Sequence, residues 1–206
     1  MKNTILALAL ATAGLATVPA AFAQDAGNGG NAQQGWYVGA NAGYGQVDKG
    51  PYDNGSFAGG LKGGYRFAIN PDTSLGAEVG YVYLGRAGAR GQYAENYANY
   101  TGDNGKSKLQ GATAGLNLRY SFSPNWYGEV RGGAFFAKGS GLTNDRDNPE
   151  MVNFTGTRYY AGLGAGYNIN KNISVGLNWD YYDGSQSDKN IHLPTNLYSV
   201  SAEYRF

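Results

Sequence analysis

The ten residues from Leu197 to Phe206 alternate strictly. Tyr198, Val200, Ala202, Tyr204 and Phe206 fall on one face of an extended strand, and Leu197, Ser199, Ser201, Glu203 and Arg205 on the other. A helix would scatter those aromatics, so a period of two predicts a strand. Seven earlier segments carry the same period. Strand one, Gly35 to Val47, sets Trp36, Val38, Ala40, Ala42 and Tyr44 against Tyr37, Gly39, Asn41, Gly43 and Gly45. Strand two, Ser56 to Phe67, sets Phe57, Leu61, Tyr65 and Phe67 against Lys62 and Arg66. Strand three, Ser74 to Gly85, carries Leu75, Ala77, Val79, Tyr81 and Tyr83 opposite Glu78. Strand four, Lys106 to Phe122, sends Ala112, Ala114, Leu116, Leu118, Tyr120 and Phe122 one way and Thr113, Asn117 and Arg119 the other. Strand five, Trp126 to Gly139, opposes Val130, Ala134 and Phe136 to Tyr127, Glu129 and Arg131. Strand six, Thr155 to Ile169, opposes Tyr159, Leu163, Ala165 and Tyr167 to Arg158, Gly162 and Gly166. Strand seven, Ile173 to Asp183, opposes Ile173, Val175, Leu177, Trp179 and Tyr181 to Gly176, Asn178 and Asp180.

Each strand reaches the roughly 9 to 11 residues that cross a bilayer at a tilt. The connections alternate, at about 8, 6, 20, 3, 15, 3 and 12 residues, and Asn70-Pro71-Asp72, Ser123-Pro124-Asn125 and Asn170-Lys171-Asn172 mark the short ones. Long loops on one side and tight turns on the other are what an up-and-down transmembrane barrel requires. The charges strengthen that reading over a soluble sandwich. Lys62, Arg66, Glu78, Arg119, Glu129, Arg131, Arg158, Asp180, Glu203 and Arg205 all lie opposite the apolar face, which implies a polar interior. Tyr65, Phe67, Tyr120, Phe122 and Trp126 cluster near the short turns, where interfacial girdles place such rings. The fold expected is all-β, an eight-stranded antiparallel up-and-down transmembrane β-barrel over residues 35–206.

The start of the chain changes the compartment. Lys2, an apolar run from Ile5 to Val18 and Ala21-Phe22-Ala23 read as a secretory signal peptide cleaved after Ala23, because the run is shorter than a spanning helix needs. Residues 24–34, Gly/Asn-rich and aperiodic, read as a flexible lead-in. Among 206 residues there are 34 glycines, 18 tyrosines and no cysteine, so neither a disulfide framework nor a thiolate metal site is available. Without the signal, basic and acidic residues number 15 each, and nothing in that balance points to nucleic acid.

A short motif recurs along the strands: Gly39 to Tyr44, Gly60 to Tyr65, Gly76 to Tyr81 and Gly162 to Tyr167 each read Gly-x-x-x-Gly-Tyr. In a strand, glycines four apart share a face, which leaves room in a narrow lumen for long neighbours while the tyrosine turns to lipid. These motifs, Trp36-Tyr37-Val38-Gly39 in the first strand and the final aromatic Phe206 resemble the small eight-stranded outer-membrane barrels of the OmpA-type family. The resemblance covers nearly the whole mature chain. It implies residence in the outer membrane of a Gram-negative bacterium, contact with outer-membrane lipid and lipopolysaccharide, and passage through periplasmic chaperones and the assembly machinery. It also implies that Phe206 is the assembly signal, and that the barrel serves envelope integrity, adhesion or both, with any host or surface ligand unnamed. The sequence stops before the peptidoglycan-binding domain of longer members, so wall anchoring is not expected. A narrow channel is the competing reading, and a lipid-modifying enzyme stands third.

The candidate chemistry is sparse. His192, with Ser185 and Ser187 in the last outer loop, lacks an evident third group to orient a base, and a solvated histidine is the plainer reading. Asp145, Asp147 and Glu150 lack the register of a calcium loop. No catalytic residue, cofactor or metal site is therefore expected. Tyr93, Tyr97 and Tyr100, in the long second outer loop, are the best candidates for contact with a surface partner, against packing on the barrel rim. The ten inward charges are expected to pair across a lumen that side chains can fill.

Overall fold

The structure, a computed structural model, describes residues 31–47, 51–52, 55–101, 105–145 and 147–206. The signal segment, its cleavage site and lead-in residues 24–30 lie outside the described residues.

Eight antiparallel strands close on themselves: β1 (Gly35–Val47), β2 (Gly55–Asn70), β3 (Thr73–Tyr83), β4 (Lys108–Ser121), β5 (Trp126–Leu142), β6 (Met151–Asn168), β7 (Ile173–Tyr182) and β8 (Thr195–Arg205). Each strand pairs with its sequence neighbours, and β8 closes the seam against β1 from Tyr37↔Arg205 to Val47↔Thr195. The register sets the shape. A walk along paired residues runs from Thr73 through Tyr120, Gly128, Ala165, Leu177, Val200, Ala42 and Gly59 and returns to β3 at Tyr83, ten residues from its start. That stagger over eight strands corresponds to a tilt of about 40° and an interior that side chains fill.

Alternation decides which face meets what. Leu61, Val79, Leu116, Val130, Leu163, Leu177 and Val200 are exposed on the outside of the wall, whereas Arg66, Asn117, Arg119 and Asp180 are buried inside it. A belt of outward aliphatic side chains around a whole molecule far exceeds the apolar patches of soluble proteins, so this face is solvated by lipid. Aromatic girdles bound the belt. At the short-turn end, Trp36 packs edge-on to Tyr65, Trp126 to Tyr167 and Tyr204 to Phe206, with centroids 5.3, 5.1 and 5.1 Å apart. Tyr44, Phe57, Tyr83, Phe136, Tyr159 and Tyr181 face outward near the other end, some eight residues away along the strands. At about 3.3 Å per residue and a 40° tilt this is roughly 20 Å, close to the height of an outer-membrane apolar band.

The strand ends depart from sequence expectation where loops pack into the outer mouth. β5 and β6 extend to Leu142 and Met151, beyond the expected Gly139 and Thr155, because Leu142 and Phe154 are buried in an apolar cluster. β4 begins at Lys108, since Ser107 instead bonds the loop: its N–H donates to the Ala87 carbonyl at 2.8 Å. The long second outer loop contains a helix, α1 (Gly91–Thr101).

Residues 31–34 do not form the flexible lead-in expected of them. They cross the short-turn mouth. The Ala32 N–H donates to the Pro71 carbonyl at 2.6 Å, Ser121 Oγ to the Asn31 carbonyl at 3.2 Å, and Gln33 is buried.

Candidate functional site: the filled lumen

The inward face of the lower and middle barrel carries one connected ion network. Glu129 on β5 sits at its centre. Its Oε2 accepts from Arg119 Nη2 at 2.7 Å, from Arg119 Nε at 2.9 Å and from Arg66 Nη2 at 3.4 Å. Its Oε1 accepts from Arg131 Nη1 at 3.0 Å and Lys62 Nζ at 3.4 Å. Glu203 on β8 receives two guanidinium groups, Arg66 at 2.7 and 2.9 Å and Arg119 at 3.0 and 3.1 Å. Asp180 on β7 is held by Arg131 through Nε at 2.6 Å and Nη2 at 2.8 Å. Such two-point contacts are the strong form of a carboxylate to arginine bond.

Polar neighbours satisfy the remaining atoms, as burial requires. Glu78 accepts from Lys62 Nζ at 3.4 Å, Asn117 Nδ2 at 2.9 Å, Tyr37 Oη at 3.1 Å and Tyr160 Oη at 2.9 Å. The Asn117 side-chain amide oxygen, Oδ1, accepts from Arg66 Nε at 3.1 Å. The Arg66 and Arg119 guanidinium groups each lie 3.9 Å over a ring, Tyr37 and Tyr127 respectively. Gln33 closes the short-turn side: its Oε1 accepts from Arg119 Nη1 at 2.9 Å, and its Nε2 donates to Asn168 at 2.8 Å. Glycine makes the room. A Cβ on Gly76 would stand 2.7 Å from the Asn117 side-chain oxygen, and one on Gly162 would strike the Asp180 carboxylate.

Eight of the ten residues assigned to a lumen network are thus joined in it, four cations and four anions. Arg158 and Arg205 are not. Both have inward parity, but Arg158 stands near the outer girdle and donates to the Ser185 and Thr157 carbonyls. Arg205 stands at the short-turn rim and donates to the Lys171 carbonyl.

The upper lumen corrects the expectation of a polar interior throughout. Val82, Leu109, Phe135, Tyr160, Tyr182 and Leu197 from the wall, with Tyr52, Leu84, Ala87, Leu142, Ile191 and Leu193 from the loops and strand tips, form a buried apolar cluster across the outer mouth. Tyr52 is fully buried in it, and its Oη accepts from the Leu142 N–H at 2.7 Å. Burial pushes the Tyr52 phenol up to about 12. Between the two layers lies a cavity of about 40 Å³, lined by Lys62, Glu78, Arg131, Asp180 and Tyr160 among others. It has room for one or two waters.

The other candidates fall outside this core. Tyr93 is half-buried, and its Oη donates to the Asn144 carbonyl at 3.3 Å. Tyr97 packs against the apolar cluster. Neither is the freely exposed ring expected of a contact group. Tyr100 lies in the last turn of α1. Asp145 Oδ1 accepts the Asp147 and Asn148 N–H groups at 3.1 and 3.2 Å, so it is engaged in a turn. His192 is exposed between buried Ile191 and Leu193, and among the described residues no hydrogen bond joins it to Ser185 or Ser187. Phe206 donates its N–H to the Trp36 carbonyl at 3.0 Å, next to the seam.

Sequence reasoning assigned Tyr37, Asn117 and Tyr127 to the inner face but no role in the network. Alternation was their signal. Gln33 had none, because it precedes the first periodic segment.

Comparison with known proteins agrees with this geometry. The family model described as "Outer membrane protein beta-barrel domain" matches residues 7–206. Outer membrane protein A of Serratia marcescens is 28% identical over 220 residues, covering 100% of this chain and 56% of that protein. The Escherichia fergusonii protein of the same name is 27% identical over 217 residues, again with 100% and 56% covered. The chain therefore spans about half the length of these curated relatives. Among solved structures, Neisserial surface protein A superposes with a TM-score of 0.58 at 13% identity, covering 83% of this chain and 97% of that one. Ail, the attachment invasion locus protein of Yersinia pestis, gives 0.53 at 14%, covering 85% and 100%.

Proposed function

Because the chain belongs to the outer membrane protein β-barrel domain family and resides in the outer membrane of a Gram-negative bacterium, we propose that it is a sealed structural barrel whose outer loops make surface contacts. The observation that carries the reading is the filled lumen. A balanced set of four cations and four anions closes the lower half, an apolar loop cluster closes the upper mouth, and the space between them is about 40 Å³. A barrel filled this way contributes a rigid wall element and a platform for loops, which is where binding work falls on a rigid scaffold. Every network carboxylate is engaged by a cation, so none is free to act as a general base.

The same reading includes removal of the signal after Ala23, passage through periplasmic chaperones and the assembly machinery with Phe206 as the signal, and lipopolysaccharide as the outer-leaflet neighbour. Surface contact is assigned to the helical second loop that carries Tyr93, Tyr97 and Tyr100, where Tyr93 and Tyr97 brace the platform. The test is a chromosomal deletion complemented by the intact chain or by a chain with residues 88–104 replaced by a short Gly/Ser linker. Detergent resistance restored by both, with adhesion restored only by the intact chain, supports a structural barrel with loop contacts. Adhesion restored equally by both removes that loop from the reading. Detergent resistance restored by neither, at wild-type barrel levels, counts against the structural role.

A further inference from the structure

The outward face above the upper girdle is not symmetric in charge. Leu84 donates its N–H to the Leu109 carbonyl at 2.9 Å, and Ser107 donates to Ala87 at 2.8 Å, so residues 84–88 run alongside 105–109 as a continuation of the wall. The Arg86 N–H is fixed to Ser56 Oγ at 2.7 Å. That pairing sets Arg86 beside Lys108, and the β4 to β5 register places Lys138 opposite Gln110, one outward position further along β4 from Lys108. With the strand tilt taken into account, Arg86, Lys108 and Lys138 stand at one height, roughly two to three residues beyond the level of Phe57, Tyr83 and Phe136. Lys106 stands just above them.

On the remaining strands the described outward residues nearest this height are Thr155 on β6, Asp183 after β7, Asn196 on β8, Gln46 on β1 and Gly55 on β2. None is a cation. A cleft of about 530 Å³ opens at the same place, with Phe57 and Tyr83 toward the membrane and Arg86 and Lys106 toward the surface. It has aromatic faces at acyl and sugar depth and guanidinium and ammonium groups at headgroup depth.

We propose that this flank, from β2 to β5, is a binding site for a phosphorylated glycolipid of the outer leaflet, in which Arg86, Lys106, Lys108 and Lys138 hold the phosphates and Phe57 and Tyr83 line the sugar and acyl edge. An arginine fork suits a phosphate's paired oxygens, and lysines add point charges. Partial exclusion of water at the interface strengthens both, and the attraction falls as salt is raised. The site rests on the placement of the barrel in the outer membrane and is independent of whether its lumen conducts.

The test uses the folded full chain in neutral detergent, titrated with purified bisphosphorylated lipid A, with chemically dephosphorylated lipid A and with inorganic phosphate as competitor. The expected result is saturable binding of the bisphosphorylated lipid, weakened at least tenfold in Lys108→Ala/Lys138→Ala. The charge-matched Lys171→Ala/Lys189→Ala variant binds as the unaltered chain, and the dephosphorylated lipid binds at least tenfold more weakly. Equal binding by both double variants, or equal binding of the two lipids, overturns the site. Displacement by inorganic phosphate at matched phosphate concentration makes it a plain anion site and overturns the glycolipid. Should the first variant lose heat-modifiable folding, Lys108→Gln/Lys138→Gln takes its place under the same criteria.

Discussion

Arg66 and Glu203, 137 positions apart in the chain, meet through two bonds of 2.7 and 2.9 Å because β1 alone separates their strands in the closed wall. The contact depends on closure. An open sheet of the same strands would put β2 and β8 near opposite edges, leaving both charges without this partner. The lumen network therefore couples the seam to the core. Glu203, paired with Arg66 and Arg119, meets these counter-ions only when the last strand has joined the first.

Removing the hub of the network tests that coupling. Glu129→Ala leaves Lys62, Arg66, Arg119 and Arg131 facing one another with one carboxylate fewer, and breaking a buried ion pair typically costs about 3 to 5 kcal/mol. Urea unfolding of the refolded barrel should show a loss of that order. Arg158→Ala removes only contacts to two backbone carbonyls at a half-exposed site, so its loss should stay near or below about 1 kcal/mol. Equal effects from the two variants would show that the network does not stabilise the barrel as argued.

The outer plug should open with alkali. The buried Tyr52 phenol holds its proton up to about 12, against the ordinary tyrosine value near 10. A group that binds its proton more tightly in the closed state contributes stability fully below its open-state value and loses it as pH rises through the closed-state value. Protease cleavage within the outer loops should therefore accelerate between about pH 10 and 12. Tyr52→Phe removes this contribution while losing the bond to the Leu142 N–H, so its cleavage should be faster at neutral pH and rise less steeply. A rise of the same steepness in that variant would assign the transition to another group.

The seam makes a separate prediction about Phe206. Its deletion removes the ring against Tyr204 and the bond to Trp36, and with them the proposed assembly signal. The expected outcome is a fall of severalfold in heat-modifiable barrel recovered from the outer membrane, while refolding in detergent is reduced far less. A proportionate fall in both would make the residue's role structural.

What could be read from the sequence divides along periodicity. Alternation sorted Arg66, Glu78, Arg119, Glu129 and Glu203 from Leu61, Val79, Leu116 and Val130, and with the turn signals it located the eight strands. It also hinted at one pair: Arg119 and Glu129 lie directly opposite across the Ser123-Pro124-Asn125 turn. Arg66 with Glu203 needed the stagger of the closed wall, which no local pattern encodes. The apolar plug escaped because Ile191 and Leu193 are single apolar residues in a polar, aperiodic stretch, and they become buried only by joining wall residues such as Leu109, Phe135 and Leu197 in one cluster. Tyr93, Tyr97 and Tyr100 carry a helical signal in their spacing of four and three, and they lie on α1.

The central claim, that the lumen is closed by ions below and by packed side chains above, is tested most directly by the conductance of the unaltered protein in planar bilayers. Closure predicts a quiet baseline across the voltage range, and rare small openings only in Glu129→Ala. Large, steady steps from the unaltered protein would contradict it and establish a channel in its place.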